Sequence, residues 1–125
     1  MNYTGRIEVM NVVGIDFVDN GRSVRFELID SYPPHAVSFV TFSNTCCVKL
    51  FQCGGDEFPL VVVELTWRAI PVEERQQVLH AHGYPILNES GSPMGADRSL
   101  VWVHMEGDIV GDILAEHVLV SSGKG

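Results

Sequence analysis

The chain has 125 residues, 46% of them hydrophobic and 19% charged, enough for one domain that buries its own core without metal or disulfide staples. Its 16 acidic residues outnumber 8 basic ones, for a formal net charge of −8. That sign repels phosphate backbones and anionic lipid, so neither a nucleic-acid nor a membrane partner is expected, and it favours encounter with a basic protein.

Beta signals dominate the first half. "RIEVMNVV" and "IDFV" are rich in β-branched residues, and Gly14 between them marks a bulge or bend. "DNGR", residues 19 to 22, carries the Asn-Gly hairpin signal, because both central residues tolerate positive φ. "SVRFELI" follows, with Val24, Phe26 and Leu28 alternating with Arg25 and Glu27, the cleanest inside/outside pattern in the chain. The prolines of "SYPPH" break the ladder. "AVSFVTF" then puts Val37 and Phe39 on one face and Val40 and Phe42 on the other. "CCVKLFQC" sets Cys46, Val48 and Leu50 opposite Cys47, Lys49 and Phe51. The almost continuously apolar "LVVVEL" fits a central strand covered on both sides.

One helix is expected, at about 71–82 in "IPVEERQQVLHAHGYP". Pro71 suits its first position, Glu73 and Glu74 its first turn, and His80 and His82 its last. Gly83, Tyr84 and Pro85 supply the ending. The apolar face (Val72, Val78, Leu79, Ala81) is narrow, as for a surface helix lying on a sheet. Residues 87 to 99 read as a long loop of the kind that often serves as a lid. Two strands, about 100–106 and 109–120, end the chain, with 121–125 as a frayed tail. The expected fold is α+β and mostly antiparallel: a curved sheet, half-barrel or sandwich of about seven strands with one surface helix, in a single domain over 1–125.

Three cysteines, Cys46, Cys47 and Cys53, form no disulfide framework, since the first two are adjacent and the count is odd. A reducing cytoplasm is the simplest setting. The N-terminus has no signal-peptide pattern, and no apolar run approaches the ~20 residues needed to span a bilayer. Combined with His80 and His82, the cysteines match no zinc spacing. Phosphate loops, nucleophile elbows and His-Glu-x-x-His are all missing. No cofactor is expected.

The densest polar stretch is "VHMEGDIVGDI", residues 103 to 113. His104 and Glu106 share a strand face with Trp102. With a Gly107-Asp108 turn, however, Val103 faces Asp112, and Asp112 joins His104 only if Gly111 bulges. The zinc-deaminase spelling His-x-Glu needs a downstream Pro-Cys-x-x-Cys, which this chain lacks.

Three functions are therefore weighed. The first is a non-enzymatic, cytoplasmic protein-binding module, in its concrete form an acidic inhibitor or immunity-type protein that masks a basic partner through Asp56, Glu57, Glu73, Glu74 and Asp108. The alternative is a small-molecule or metal-binding β-barrel, with scope for enzymatic activity, using His104, Glu106 and Asp112 under a lid at 88–99. The third is a homo-oligomer that pairs through an exposed strand edge.

Overall fold

The computed structural model describes residues 5–52, 60–82 and 99–122. Its strands are β1 (Gly5–Val18), β2 (Ser23–Asp30), β3 (Val37–Ser43), β4 (Cys47–Gln52), β5 (Leu60–Ala69), β6 (Val101–Gly107), β7 (Ile109–Ala115) and β8 (His117–Ser122). The helix α1 (Val72–Ala81) lies between β5 and β6. All eight strands join one antiparallel sheet in the order β4-β7-β6-β5-β1-β2-β3-β8, curled into a half-barrel.

The curl follows from how the two ends of the sheet are made. β3 runs on into β4 and β7 into β8, so the β3–β8 and β4–β7 pairings are successive halves of one bent ribbon. At the bend the Glu116 N–H donates to the Ser43 carbonyl and the Cys46 N–H to the Leu114 carbonyl, both at 2.9 Å. Asn44 turns the corner with φ of 52°, its side-chain amide donating to Glu116 Oε2 at 2.7 Å. Its backbone N–H donates to Oγ of the buried Ser23 at 3.2 Å. The bend divides the strand expected over 109–120 into β7 and β8. It also carries the chain end back along β3, so Ser121 and Ser122 pair with Phe39 and Ser38, where fraying had been expected.

Alternation fills the inside. Val24, Phe26 and Leu28 of β2 are buried, as are Val40 and Phe42 of β3, and the Phe26 and Phe42 rings meet edge to face at 5.6 Å. Val12, Val62, Leu65, Val103, Met105 and Ile113 complete the same core, so the described residues of the concave side are taken up by packing. Gly14 opposes Glu27 just past a register shift, the expected bulge. In the first hairpin the left-handed pair is Asp19 and Asn20, closed by the Gly21 N–H on the Val18 carbonyl at 3.0 Å. The turn therefore sits one residue earlier than Asn-Gly suggested. β5 is central, between β1 and β6, but it is not covered on both sides: Val61 is exposed, and a register shift between Val62 and Glu64 interrupts the apolar run.

Helix α1 begins after Pro71, which caps it from the position before the first turn. Glu73 and Glu74 occupy that turn and His80 the last. Of the expected apolar face only Leu79 is buried, with Val78 half-buried; Val72 and Ala81 face solvent. Leu79 joins Ile70, Leu100 and Leu114 in a second, smaller core against Cys46, Cys47 and Trp102. Leu114 lies on the outer face of β7, so the helix covers that end of the sheet from outside. Gly83, Tyr84, Pro85 and Cys53 lie outside the described residues. No helix among the described residues is long and apolar enough to cross a membrane.

Candidate functional site

Strand register lays out the outer face in rows. One row runs Arg6, Thr66, His104, Asp112, Lys49 across β1, β5, β6, β7 and β4. The next runs Arg68, Trp102, Leu114, Cys47 from β5 to β4. On the other side of the first row, Glu64 faces Glu106. Polar and aromatic side chains from five strands thus meet on one surface, while Val103, Met105 and Ile113 point inward.

His104 and Asp112 are direct cross-strand partners, and the β6–β7 pairing contains no bulge at Gly111. The expected two-residue turn at Gly107-Asp108 is not what forms. Gly107 remains in β6, paired with Val62 at φ of 147°, and Asp108 alone makes the turn. Asp108 is fastened to β5: its N–H donates to the Val61 carbonyl at 2.8 Å, and its carboxylate accepts the Val61 N–H at 3.0 Å. That tie moves the register by one residue and carries Asp112 to the His104 side. Gly111 serves a different need. It is buried beside the backbone of β4, its pairing partner, and a Cβ there would collide with the Lys49 carbonyl.

The result is a hydrogen-bonded chain of four side chains. The Trp102 indole N–H donates to Asp112 Oδ1 at 2.8 Å, and His104 Nδ1 meets the same oxygen at 2.9 Å. On its other side His104 Nε2 lies 3.4 Å from Glu106 Oε1. The hydrogen bond to Asp112 raises the His104 pKa; burial opposes this and Glu106 adds to the rise. Burial pushes the Asp112 carboxyl up, but the bonds from Trp102 and His104 and the charges of His104 and His82 outweigh it and hold it below its ordinary value. Both carboxylates are turned toward the imidazole, not toward a shared empty point. Among the described residues no group of three or more His, Cys, Asp or Glu is arranged to hold a metal ion.

Beside this chain lies a concavity of about 590 Å³, lined by Gly5, Arg6, Thr66, Trp67, Arg68, Trp102 and His104. Trp102 is held from three directions. Asp112 takes its N–H, the His82 ring meets it edge to face at 4.9 Å, and the Arg68 guanidinium lies 5.2 Å from its ring centroid. Trp67 lies so close over Gly5 that no larger residue would fit beneath its ring. Arg6 pairs with Glu64. Arg68 is exposed and has no carboxylate partner among the described residues.

Of the residues singled out from sequence, His104 and Asp112 are joined, and His104 faces the concavity together with Trp102. Glu106 is exposed beside them and is not part of the lining. Glu73 and Glu74 are exposed on α1. Asp108 is half-buried, its carboxylate engaged by β5. Asp56 and Glu57 lie outside the described residues, as does the expected lid except Ser99. Sequence reading missed Arg6, Thr66, Trp67 and Arg68. The signal available was parity: Thr66 and Arg68 continue the Glu64 face of β5, the same side as the Trp102-His104-Glu106 face of a neighbouring strand. Cys47 is half-buried, its thiol 3.9 Å from the His82 carbonyl, and burial raises its pKa, so the thiolate is disfavoured.

No family model matches the chain, and no curated protein matches it in sequence. Among solved structures it is similar to one described as an uncharacterized protein from Neisseria gonorrhoeae. The two are 15% identical with a TM-score of 0.59, covering 94% of this chain and 95% of that one. At that identity the likeness concerns the fold alone.

Proposed function

We propose that this domain binds a small molecule in the concavity at the β1–β5–β6 end of the sheet, where Trp102, Arg68 and His104 of the outer face meet the edge of Trp67. The observation that carries this reading is that both tryptophans in the chain line a single concavity together with two arginines and a histidine. Sites of this kind pair apolar walls with a few fixed polar groups, and about 590 Å³ lies within the range of such sites. On the inside of the half-barrel the described apolar side chains pack against one another.

Binding, rather than turnover, suits the histidine. Each ring nitrogen of His104 faces a carboxylate, and its protonated form is favoured, so neither nitrogen is left to take a proton from a substrate. The test is a titration of the protein with a set of planar fragments, read on the two indole N–H resonances. Binders are expected to move both resonances together; a folded protein whose indoles ignore every fragment at millimolar concentration would contradict the reading.

A second reading, a protein-binding module with a basic partner, is favoured by Glu73 and Glu74. They stand side by side and exposed in the first turn of α1, with no ion-pair partner among the described residues. On this reading a basic partner captured at low salt dissociates at high salt and is lost with a Glu73→Gln, Glu74→Gln variant. Capture that is indifferent to both would remove it.

A further inference from the structure

The character of the lining narrows the ligand further. The chain carries twice as many acidic as basic residues, yet the described lining of the concavity has Arg6, Arg68 and His104 and no Asp or Glu. The carboxylates of this region stand behind the cations. Glu64 pairs with Arg6, and Asp112 and Glu106 hold His104. Arg68 differs from the other two, since no carboxylate among the described residues neutralises it.

Its placement matters as much as its charge. A guanidinium that lies over an indole uses its flat face for stacking and keeps its N–H edge for hydrogen bonds. That edge matches the paired oxygens of a carboxylate or phosphate. Trp102 cannot turn away from Arg68, because its N–H is bonded to Asp112 and its edge is packed by His82. Trp67 borders the concavity from the inward face of β5, its ring over Gly5, and Thr66 stands on the Arg68 face of β5 opposite Arg6.

Resting on the small-molecule reading above, we infer that the ligand is a planar aromatic body bearing one oxyanion head group, with the head held by Arg68 and the body lying against Trp102. The head is a carboxylate or a phosphate, since both offer the same paired oxygens to the guanidinium.

Calorimetric titration with four probes that share one body separates the possibilities: naphthoate, naphthyl phosphate, naphthamide and naphthylmethylammonium. The inference expects at least one of the two anions to bind roughly tenfold or more tightly than the neutral amide, the scale of one hydrogen-bonded ion pair. The tighter anion identifies the head group. Arg68→Gln is expected to abolish that preference, and Arg68→Glu to transfer the preference to the ammonium probe. Arg68 is exposed, so both variants should fold like the parent. Amide or ammonium binding as tight as that of the anions would overturn the oxyanion assignment and leave the small-molecule reading standing. An anion preference that survives Arg68→Gln would overturn the role given to Arg68. Failure of all four probes to bind folded parent protein would overturn both.

Discussion

Asp112 is the residue on which the outer face turns. One of its oxygens accepts from the Trp102 indole and from His104, so a single carboxylate fixes both the aromatic wall and the imidazole of the concavity. The groups facing His104 are Asp112 from β7, Glu106 on its own strand and Thr66 opposite it on β5. Asp112→Asn is therefore expected to bring the His104 pKa down toward its ordinary 6.5, as followed by imidazole proton shifts across a pH titration. An unchanged His104 titration would show that Asp112 does not hold the charge. In the parent protein the direction of each shift fixes its effect on stability. His104 is raised on folding, so its contribution is full below 6.5 and fades as pH climbs through the folded value. Asp112 is lowered, so its contribution is full above 3.8 and fades as pH falls through its folded value. The contact is strongest between these limits, and urea midpoints of parent and Asp112→Asn should differ most there. Both partners are partly exposed, which keeps that difference modest.

At the scale of elements, the close approach of β4 to β7 depends on Gly111. A methyl group there would meet the Lys49 carbonyl, and backbone has no rotamer with which to yield. Gly111→Ala is expected to lower stability by about 2 kcal/mol or more, in the range of overpacked cores. Gly14→Ala is its control. That site has open space around it and belongs to the other half of the sheet, so the change should stay within about 0.5 kcal/mol. Equal losses from the two variants, measured by denaturant unfolding, would contradict the close approach described. Elements were largely readable from the sequence where one face is wet. Val24, Phe26 and Leu28 alternate with polar residues and mark the inside without ambiguity, and Pro71 with Glu73 and Glu74 marks a helix start. Register was not readable, because it depends on which residue makes a turn. Asp108 makes it alone through two bonds to Val61, 47 positions away along the chain, and no local pattern encodes that partner. The one-residue difference decided whether Asp112 faced His104. The breaks in β5 and at Glu116 escaped notice for the same reason, since each is set by pairing with a neighbouring strand.

For the whole molecule, the curl of the sheet separates two faces with different tasks. The inner face is spent on packing, with Phe26, Phe42, Met105 and their neighbours filling the half-barrel. On the outer face α1 covers one end, and the β1–β5–β6 surface beside it holds the concavity of the proposed function. Its lining comes from segments at the start, middle and end of the chain, brought together by sheet order alone. That explains why His104 and Trp102 drew notice within one strand whereas Arg6, Trp67 and Arg68 did not. Acidity, the strongest feature of the composition, is a property of the whole surface and gives no hint of this locally cationic patch. The most direct test uses the two tryptophans themselves. Their indole N–H resonances, recorded during titration with naphthoate and with naphthyl phosphate, should move together and saturate at one common affinity, and a Thr66→Phe variant that fills the concavity should abolish the change while its spectrum elsewhere stays that of a folded protein. Indoles that remain still, or that move alike in the parent and the filled variant, would contradict the existence of a binding site there.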